Sequence, residues 1–230
     1  EVARKAAADL EAHTRILDAM QLGPEAVIVL HAGSSAGGME AAIERFNQRF
    51  RQLPEAVQKR IVVENDESVF GMPHILQIHQ ATGVRLVFDL LHFHNNNPEG
   101  SEVIAALRAA LDTWPASETP KIHLSSPRTE MRVIERKDPQ SGKKAPVIHP
   151  PLWTQHSDFV NPFEAITFLR SARAANLRPF DVMLEIKSKD VGLLRLREDL
   201  ARFAPELAKR SVEGNPAREE GSAVSSHLPG

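Results

Sequence analysis

The sequence predicts an α/β protein built on parallel strands. Three observations carry that prediction: five short apolar runs of strand length, helix-forming segments between them, and turn residues at most of the junctions. Strands that are apolar nearly throughout are buried on both faces, which is the habit of parallel sheets. Consecutive βα units of this kind build either a doubly wound open sheet or a (β/α)8 barrel.

Along residues 1–20, Val2, Ala6, Leu10, Ile16, Leu17 and Met20 fall near one face at helical spacing, and Gly23-Pro24 ends the segment. Ala26-Val27-Ile28-Val29-Leu30 is the first strand. A Gly/Ser turn over 33–38 leads into a helix over 39–50, and Pro54 opens a short helical piece ending near Lys59. Arg60-Ile61-Val62-Val63 is the second strand, followed by a helix over 73–80 that stops at Thr82-Gly83. Val84-Arg85-Leu86-Val87-Phe88 is the third strand, with a helix over 101–113 behind it. Lys121-Ile122-His123-Leu124 is a short fourth strand. A helix over 162–176 precedes the fifth strand, 181–186, and a last helix covers 192–208. Residues 1–210 therefore read as one domain. Residues 211–230, rich in Ser, Gly, Glu and Pro, read as a disordered tail.

One interval is out of proportion. The stretch from Ser125 to Asn161 reads as a long loop, and loops of that length in a compact domain are usually functional or disordered. Its basic residues are Arg128, Arg132, Arg136, Lys137, Lys143 and Lys144; set against Glu130, Glu135 and Asp138, they leave residues 127–150 with a net charge of +3. Solvated surface loops are often charged, but a basic stretch also suits phosphate contacts.

The whole chain of 230 residues has a net charge of −2, which excludes attachment to nucleic acid or membrane by bulk positive charge. Cysteine is absent, so a disulfide framework, Cys-ligated zinc and a thiol nucleophile are all excluded. A bound metal would need His, Asp and Glu. Tyrosine is also absent, while histidine occurs ten times. No apolar run approaches the roughly 20 residues that span a bilayer. The first residues do not read as a signal sequence, so the expected compartment is the cytoplasm.

Polar residues stand where each strand stops. The first strand ends in His31, the second in Glu64, and the third in Asp89 with His92 close behind. The fourth carries Lys121 and His123, the fifth carries Glu185 and then Lys187, and the long interval adds His156 and Asp158. A single histidine after an apolar strand is ordinarily a hydrogen-bonded structural residue. Carboxylates and imidazoles at five strand ends are a different matter, because parallel strands deliver their carboxyl ends to one rim. Several buried carboxylates there need cations, and such a donor set suits divalent metals. His13, His74, His79, His94, His149 and His227 read as structural or surface residues. A site holding two or three ions fits phosphodiester hydrolysis. The same donors also serve metal-dependent sugar isomerases or epimerases, and spacing does not separate the two. No G-x-G-x-x-G or P-loop is present, and the glycine cluster over 33–38 lacks a following lysine.

Six runs carry a family resemblance. Leu30-His31-Ala32-Gly33, Val62-Val63-Glu64-Asn65-Asp66, Val87-Phe88-Asp89-Leu90-Leu91-His92, Lys121-Ile122-His123-Leu124-Ser125-Ser126, His156-Ser157-Asp158 and Met183-Leu184-Glu185-Ile186-Lys187-Ser188-Lys189-Asp190 resemble the UV damage endonuclease family in order and spacing. The resemblance implies a (β/α)8 TIM barrel, related to the endonuclease IV type of apurinic-site nuclease. It implies a metal-dependent DNA repair endonuclease that cuts the phosphodiester 5′ of UV photoproducts in double-stranded DNA. The implied cofactor is manganese, as two or three ions, with zinc or magnesium as alternatives.

The same resemblance implies roles. Glu64 would bridge two ions. Asp89, His123 and Glu185 would complete one site, His31 would contribute to the other, and His92 and His156 would hold a third ion. Asp158 would be a third-ion ligand or a partner that orients His156. Lys121 is similar to a family lysine that can be modified beside the metals, so Glu64, Lys121 and Glu185 are the expected catalytic residues. Arg128, Arg132, Arg136, Lys137, Lys143 and Lys144 are the expected DNA contacts. The family begins with three further βα units, which supply two more histidines and a Gln-Tyr damage probe. Their absence here gives the expectation of an incomplete barrel of about five βα units, the C-terminal portion of a longer protein that is monomeric when complete. A catalytically inactive DNA-binding piece is a further reading, and association with the nucleoid follows if the source is prokaryotic.

Overall fold

The computed structural model describes residues 1–208. The elements follow in the order α1 (Val2–Ala19), β1 (Ile28–His31), α2 (Met39–Gln52), α3 (Glu55–Gln58), β2 (Ile61–Glu64), α4 (Met72–Thr82), β3 (Arg85–Asp89), α5 (Leu90–Asn95), α6 (Val103–Leu111), β4 (Lys121–Leu124), β5 (Pro127–Arg128), β6 (Arg132–Lys137), β7 (Lys144–His149), β8 (Leu152–His156), α7 (Pro162–Ala174), β9 (Asp181–Leu184), α8 (Lys189–Phe203) and α9 (Pro205–Ala208).

β1, β2, β3, β4 and β9 form one parallel sheet in that spatial order. The order is decisive for the two architectures that the sequence left open. A doubly wound sheet reverses direction at a switch point, whereas here each new strand is added on the same side, as in a barrel. Among the described residues the sheet is an open arc with β1 and β9 at its edges. No helix among them is long and apolar enough to cross a membrane.

Strand alternation sorts the side chains. Ile61, Val63, Leu86, Phe88, Ile122 and Leu124 enter the main core with Ile75 and Ile78 of α4 and Leu107 and Leu111 of α6. The intervening positions of β2 and β3 put Val62 and Val87 in a smaller cluster with Trp114. The same alternation places Glu64 and Asp89 on that second face. Both α7 and α5 begin on side-chain caps: Asn161 accepts from the Phe163 N–H, and Asp89 accepts from the His92 N–H. Gly83 closes α4 at φ 74°, a conformation that glycine adopts without strain. Arg60 clasps α1 to the sheet. Its guanidinium donates to Asp18 Oδ1 and to the carbonyls of Leu22, Gly23 and Ala26.

Three elements differ from the sequence expectation. The interval from Ser125 to Asn161 is folded: β5 pairs antiparallel with β8, and β6 with β7. The β6–β7 hairpin turns on Asp138, whose carboxylate accepts from the Gln140 and Ser141 N–H groups, and on Gly142 at φ 69°. A short helix, α5, follows directly on β3 because Asp89 caps it. The last helix is interrupted at Ala204, since Pro205 cannot continue the hydrogen-bond ladder. The tail expected over 211–230 lies outside the described residues.

Candidate metal centre

Parallel registry brings the strand ends together. His31 stands opposite Glu64 on neighbouring strands, and Asp89 stands opposite His123. Glu185 follows β9, its N–H donating to the Leu124 carbonyl. Glu64 lies at the centre. Its Oε1 is 2.8 Å from His123 Nδ1 and 3.3 Å from His92 Nδ1, and its Oε2 is 3.4 Å from His31 Nε2. His123 Nδ1 also lies 3.3 Å from Glu185 Oε1 and 4.0 Å from Asp89 Oδ2.

Two groups of donors result, each with its potential ligand atoms within 4.8 Å of one another: His31, Glu64 and His92, and Glu64, Asp89, His123 and Glu185. Glu64 belongs to both. His156 stands at the edge of the cluster. Its Nε2 is 3.5 Å from Glu185 Oε2, and its ring centroid is 5.9 Å from that of His92. An open cleft of about 450 Å³ overlies these groups, lined by His31, Asp66, Glu67, His92, His156 and Glu185 among others.

The electrostatics are those of a site that wants positive charge. Burial pushes the Glu64 carboxyl up, but hydrogen bonds from His123 and His92 more than reverse this and hold it at about 2. Burial penalises the charged form of His92, yet Glu64 and Asp89 override it and raise the ring to about 9. His123 is raised in the same way, against burial, by Glu64, Glu185 and Asp89. Asp89 is fully buried, and desolvation lifts it to about 6. Its Oδ2 is buried without a hydrogen-bond partner. His156 is lowered, chiefly by burial. An orphaned carboxylate oxygen beside two further carboxylates and several imidazoles fits a divalent cation, which would satisfy the orphan and neutralise the cluster.

The structure thus gathers His31, Glu64, Asp89, His92, His123, His156 and Glu185, all seven expected ligands. It does not gather Lys121. That residue begins β4, and its Nζ is paired with Asp181 at 3.0 Å, across from the first residue of β9. Asp158 does not orient His156. Its Oδ1 accepts from Arg132 at 2.7 Å, while His156 Nδ1 is 2.9 Å from Ser125 Oγ. Ser125, Asn65 and Glu67 are therefore parts of the site that strand-end reasoning passed over. Ser125 and Asn65 each follow within two residues of a predicted ligand on the same strand end, which is the signal that was available.

The expected basic surface is revised as well. Arg128 is only 2 % exposed, buried at the base of β5 with one guanidinium nitrogen bonded to the Pro150 carbonyl, so it presents no charge to a ligand. Arg132 is engaged with Asp158, and Lys144 lies 3.5 Å from Glu135. Arg136, Lys137 and Lys143 are exposed on the hairpin, and among the described residues they have no ion-pair partner.

A sequence model of the family described as UV-endonuclease UvdE matches residues 1–213. A UV DNA damage endonuclease of Bacillus velezensis is 29% identical over 202 residues, covering 87% of this chain and 57% of the relative. Its counterpart in Bacillus cereus (strain G9842) is 30% identical over 201 residues, covering 87% of this chain and 56% of the relative. That of Halalkalibacterium halodurans is 29% identical over 219 residues, covering 94% and 62%. The crystal structure of SacUVDE superposes with a TM-score of 0.68 at 30% identity, over 88% of this chain and 60% of that one. The chain therefore spans somewhat under two thirds of the length of these relatives.

Proposed function

The chain belongs to the UvdE family of UV-endonucleases, and on that premise we propose that it is the metal-centre portion of a DNA repair endonuclease that hydrolyses the phosphodiester 5′ of UV photoproducts in double-stranded DNA. One observation carries the proposal: Glu64 sits between two donor groups while the buried Oδ2 of Asp89 has no partner. Glu64, Asp89, His123 and Glu185 would hold one divalent ion, and His31 and Glu64 another, with His92 and His156 on the cleft side. We assign manganese to these sites, since an oxygen and imidazole donor set without sulfur suits it; zinc and magnesium are the alternatives to be separated by metal analysis. Bound divalent ions would supply Lewis-acid polarisation of a phosphate oxygen and an activated water.

The protein's own groups supply the rest. Glu64 belongs to both donor groups, and its depressed pKa keeps the carboxylate ionised at neutral pH. Ser125 fixes the ring of His156 through Nδ1 and leaves Nε2 facing Glu185. The core beneath β2 and β3 excludes water from the back of the site, since Val62, Val63, Val87 and Phe88 are fully buried. Arg136, Lys137 and Lys143 project from the hairpin and would meet backbone phosphates, a role a neutral sugar substrate would not require. Action in the cytoplasm, on the nucleoid if the source is prokaryotic, and a monomeric complete protein belong to the same reading.

The test is nicking of UV-irradiated supercoiled plasmid by the natural full-length protein in manganese. Irradiated plasmid is expected to be cut and unirradiated plasmid spared, and Glu64→Gln is expected to abolish cutting. Undiminished nicking by that variant removes the assignment of Glu64.

A further inference from the structure

Asn65 is fully buried, and its side-chain amide is used as a peptide group. β2 ends at Glu64, but β3 runs on to Asp89. The Asn65 Nδ2 donates to the Asp89 carbonyl at 3.0 Å, and the Asp89 N–H donates to Asn65 Oδ1 at 2.9 Å. The side chain thus continues the ladder by one pairing after the backbone has left it. Asp89 Oδ1 in turn accepts from the His92 N–H at 2.7 Å, and His92 Nδ1 lies 3.0 Å from the Asn65 carbonyl. The three residues close a ring in which each side chain holds the main chain of the next.

The last bond has a chemical consequence. A carbonyl oxygen only accepts, so His92 Nδ1 must carry a hydrogen. The second neighbour of Nδ1, Glu64 Oε1, is an acceptor too. The nitrogen left for a cation is Nε2, and the group facing it is Glu67 Oε2 at 3.8 Å, on the wall of the cleft.

We propose that Asn65 is a positioning residue for the metal centre: it fixes the backbone of Asp89 and, through its own carbonyl, commits His92 to bind a cation by Nε2. The proposal rests on the metal-centre reading above. Hydrogen bonds of this outer kind orient ligands and set their tautomers. Aspartate at position 65 keeps the shape but loses the donor to the Asp89 carbonyl, and it adds a charge next to Glu64 and Asp89.

The test uses zinc as a diamagnetic probe on the full chain. Long-range ¹H–¹⁵N correlation of the zinc-loaded protein is expected to show His92 with a protonated Nδ1 and a metal-shifted Nε2. Asn65→Asp and Asn65→Ala are expected to weaken zinc binding by about 10–100-fold in calorimetry, the usual effect of losing such a support. Both are expected to disturb the His92 signature more than that of His31. Metal on His92 Nδ1 in the wild type overturns the proposal without any variant. Variants that keep wild-type affinity and the wild-type His92 signature overturn it too. A wild type that binds no zinc at all overturns the metal-centre reading, and this proposal with it.

Discussion

Stripping the protein of divalent ions with a chelator and raising the pH from 6.5 to 9 should destabilise it in a way set by one histidine. His92 is held at about 9 in the fold against an ordinary 6.5. A raised histidine contributes stability that is fully present below its unfolded pKa and is lost as pH rises through its folded one. The interval of about 2.5 pH units, at ~1.4 kcal/mol each, amounts to roughly 3 kcal/mol lost between pH 6.5 and 9. His123, raised by the same carboxylates, adds in the same direction. Asp89 does not interfere, because its own loss runs from 3.8 to about 6 and is complete below this window. Glu64 acts only on the acid side, where stability present above 4.5 is lost as pH falls towards 2. For a chain of this size each kcal/mol is worth about 2–4 °C in Tm, so the melting temperature should fall by roughly 6–12 °C across the window. The assay is a thermal melt followed by circular dichroism in chelator at a series of pH values. Saturating manganese should flatten the fall, because bound cations neutralise the same carboxylates and bind better as pH rises. Glu64→Gln should flatten it as well, by removing the carboxylate that accepts from His92 Nδ1. A metal-free Tm constant within about 2 °C from pH 6.5 to 9, or an unchanged slope in Glu64→Gln, refutes the account of the cluster.

Other consequences are simpler to measure. Replacing Arg136, Lys137 and Lys143 together by alanine should weaken binding to duplex DNA and reduce the slope of log K against log salt by up to about 3, whereas Arg128→Ala should leave that slope alone and lower stability instead. Arg60→Ala should shift the urea midpoint by an amount equal to about 2–4 kcal/mol, since four acceptors lose a buried guanidinium at once. Arg60→Lys should recover little of it, because a point charge does not span that fork of acceptors. Of the two tryptophans, Trp114 is 3% exposed and donates to the Leu86 carbonyl, while Trp153 is 67% exposed. Iodide should therefore quench the wild type in two populations and spare the fluorescence of Trp153→Phe almost entirely.

The five sheet strands and their direction were legible because their signal is local. A run such as Ile61-Val62-Val63 is apolar on both sides of the pleat, and only a two-face burial accounts for it. The gathering of the seven candidate ligands was legible for a related reason. In a parallel sheet the chain itself states which end of each strand is the carboxyl end, so His31, Glu64, Asp89 and Glu185 could be placed on one rim without knowing any distance. The β6–β7 hairpin also has a local signal within the interval expected to be a loop. Arg132-Val133-Ile134-Glu135 on one arm, Val147-Ile148 on the other and Asp138 to Gly142 between them make a hairpin pattern.

Lys121 and Arg128 show where residue type stops being informative. Lys121 and His123 are two residues apart on one strand, so the pleat turns both to the same face, and face alone does not separate them. What separates them is depth along the strand, about 7 Å, enough to hand Lys121 to Asp181 at the start of β9 while His123 reaches Glu64. Depth follows from the stagger between neighbouring strands, which is a property of pairs and is not written in either strand. Arg128 and Arg136 make the same point on the hairpin side. Both are arginines in a basic stretch, yet one is sealed beneath the Pro150 carbonyl and the other stands in solvent. The difference is that β5 is pinned to β8 through Pro127 and His156, a member of the candidate cluster, while β6 pairs only with β7 and projects beyond it. The pairing that holds His156 in place is thus the same pairing that buries Arg128, and the two positions cannot be assigned independently: a cation at 128 that reached solvent would require a β5–β8 ladder that no longer held the histidine.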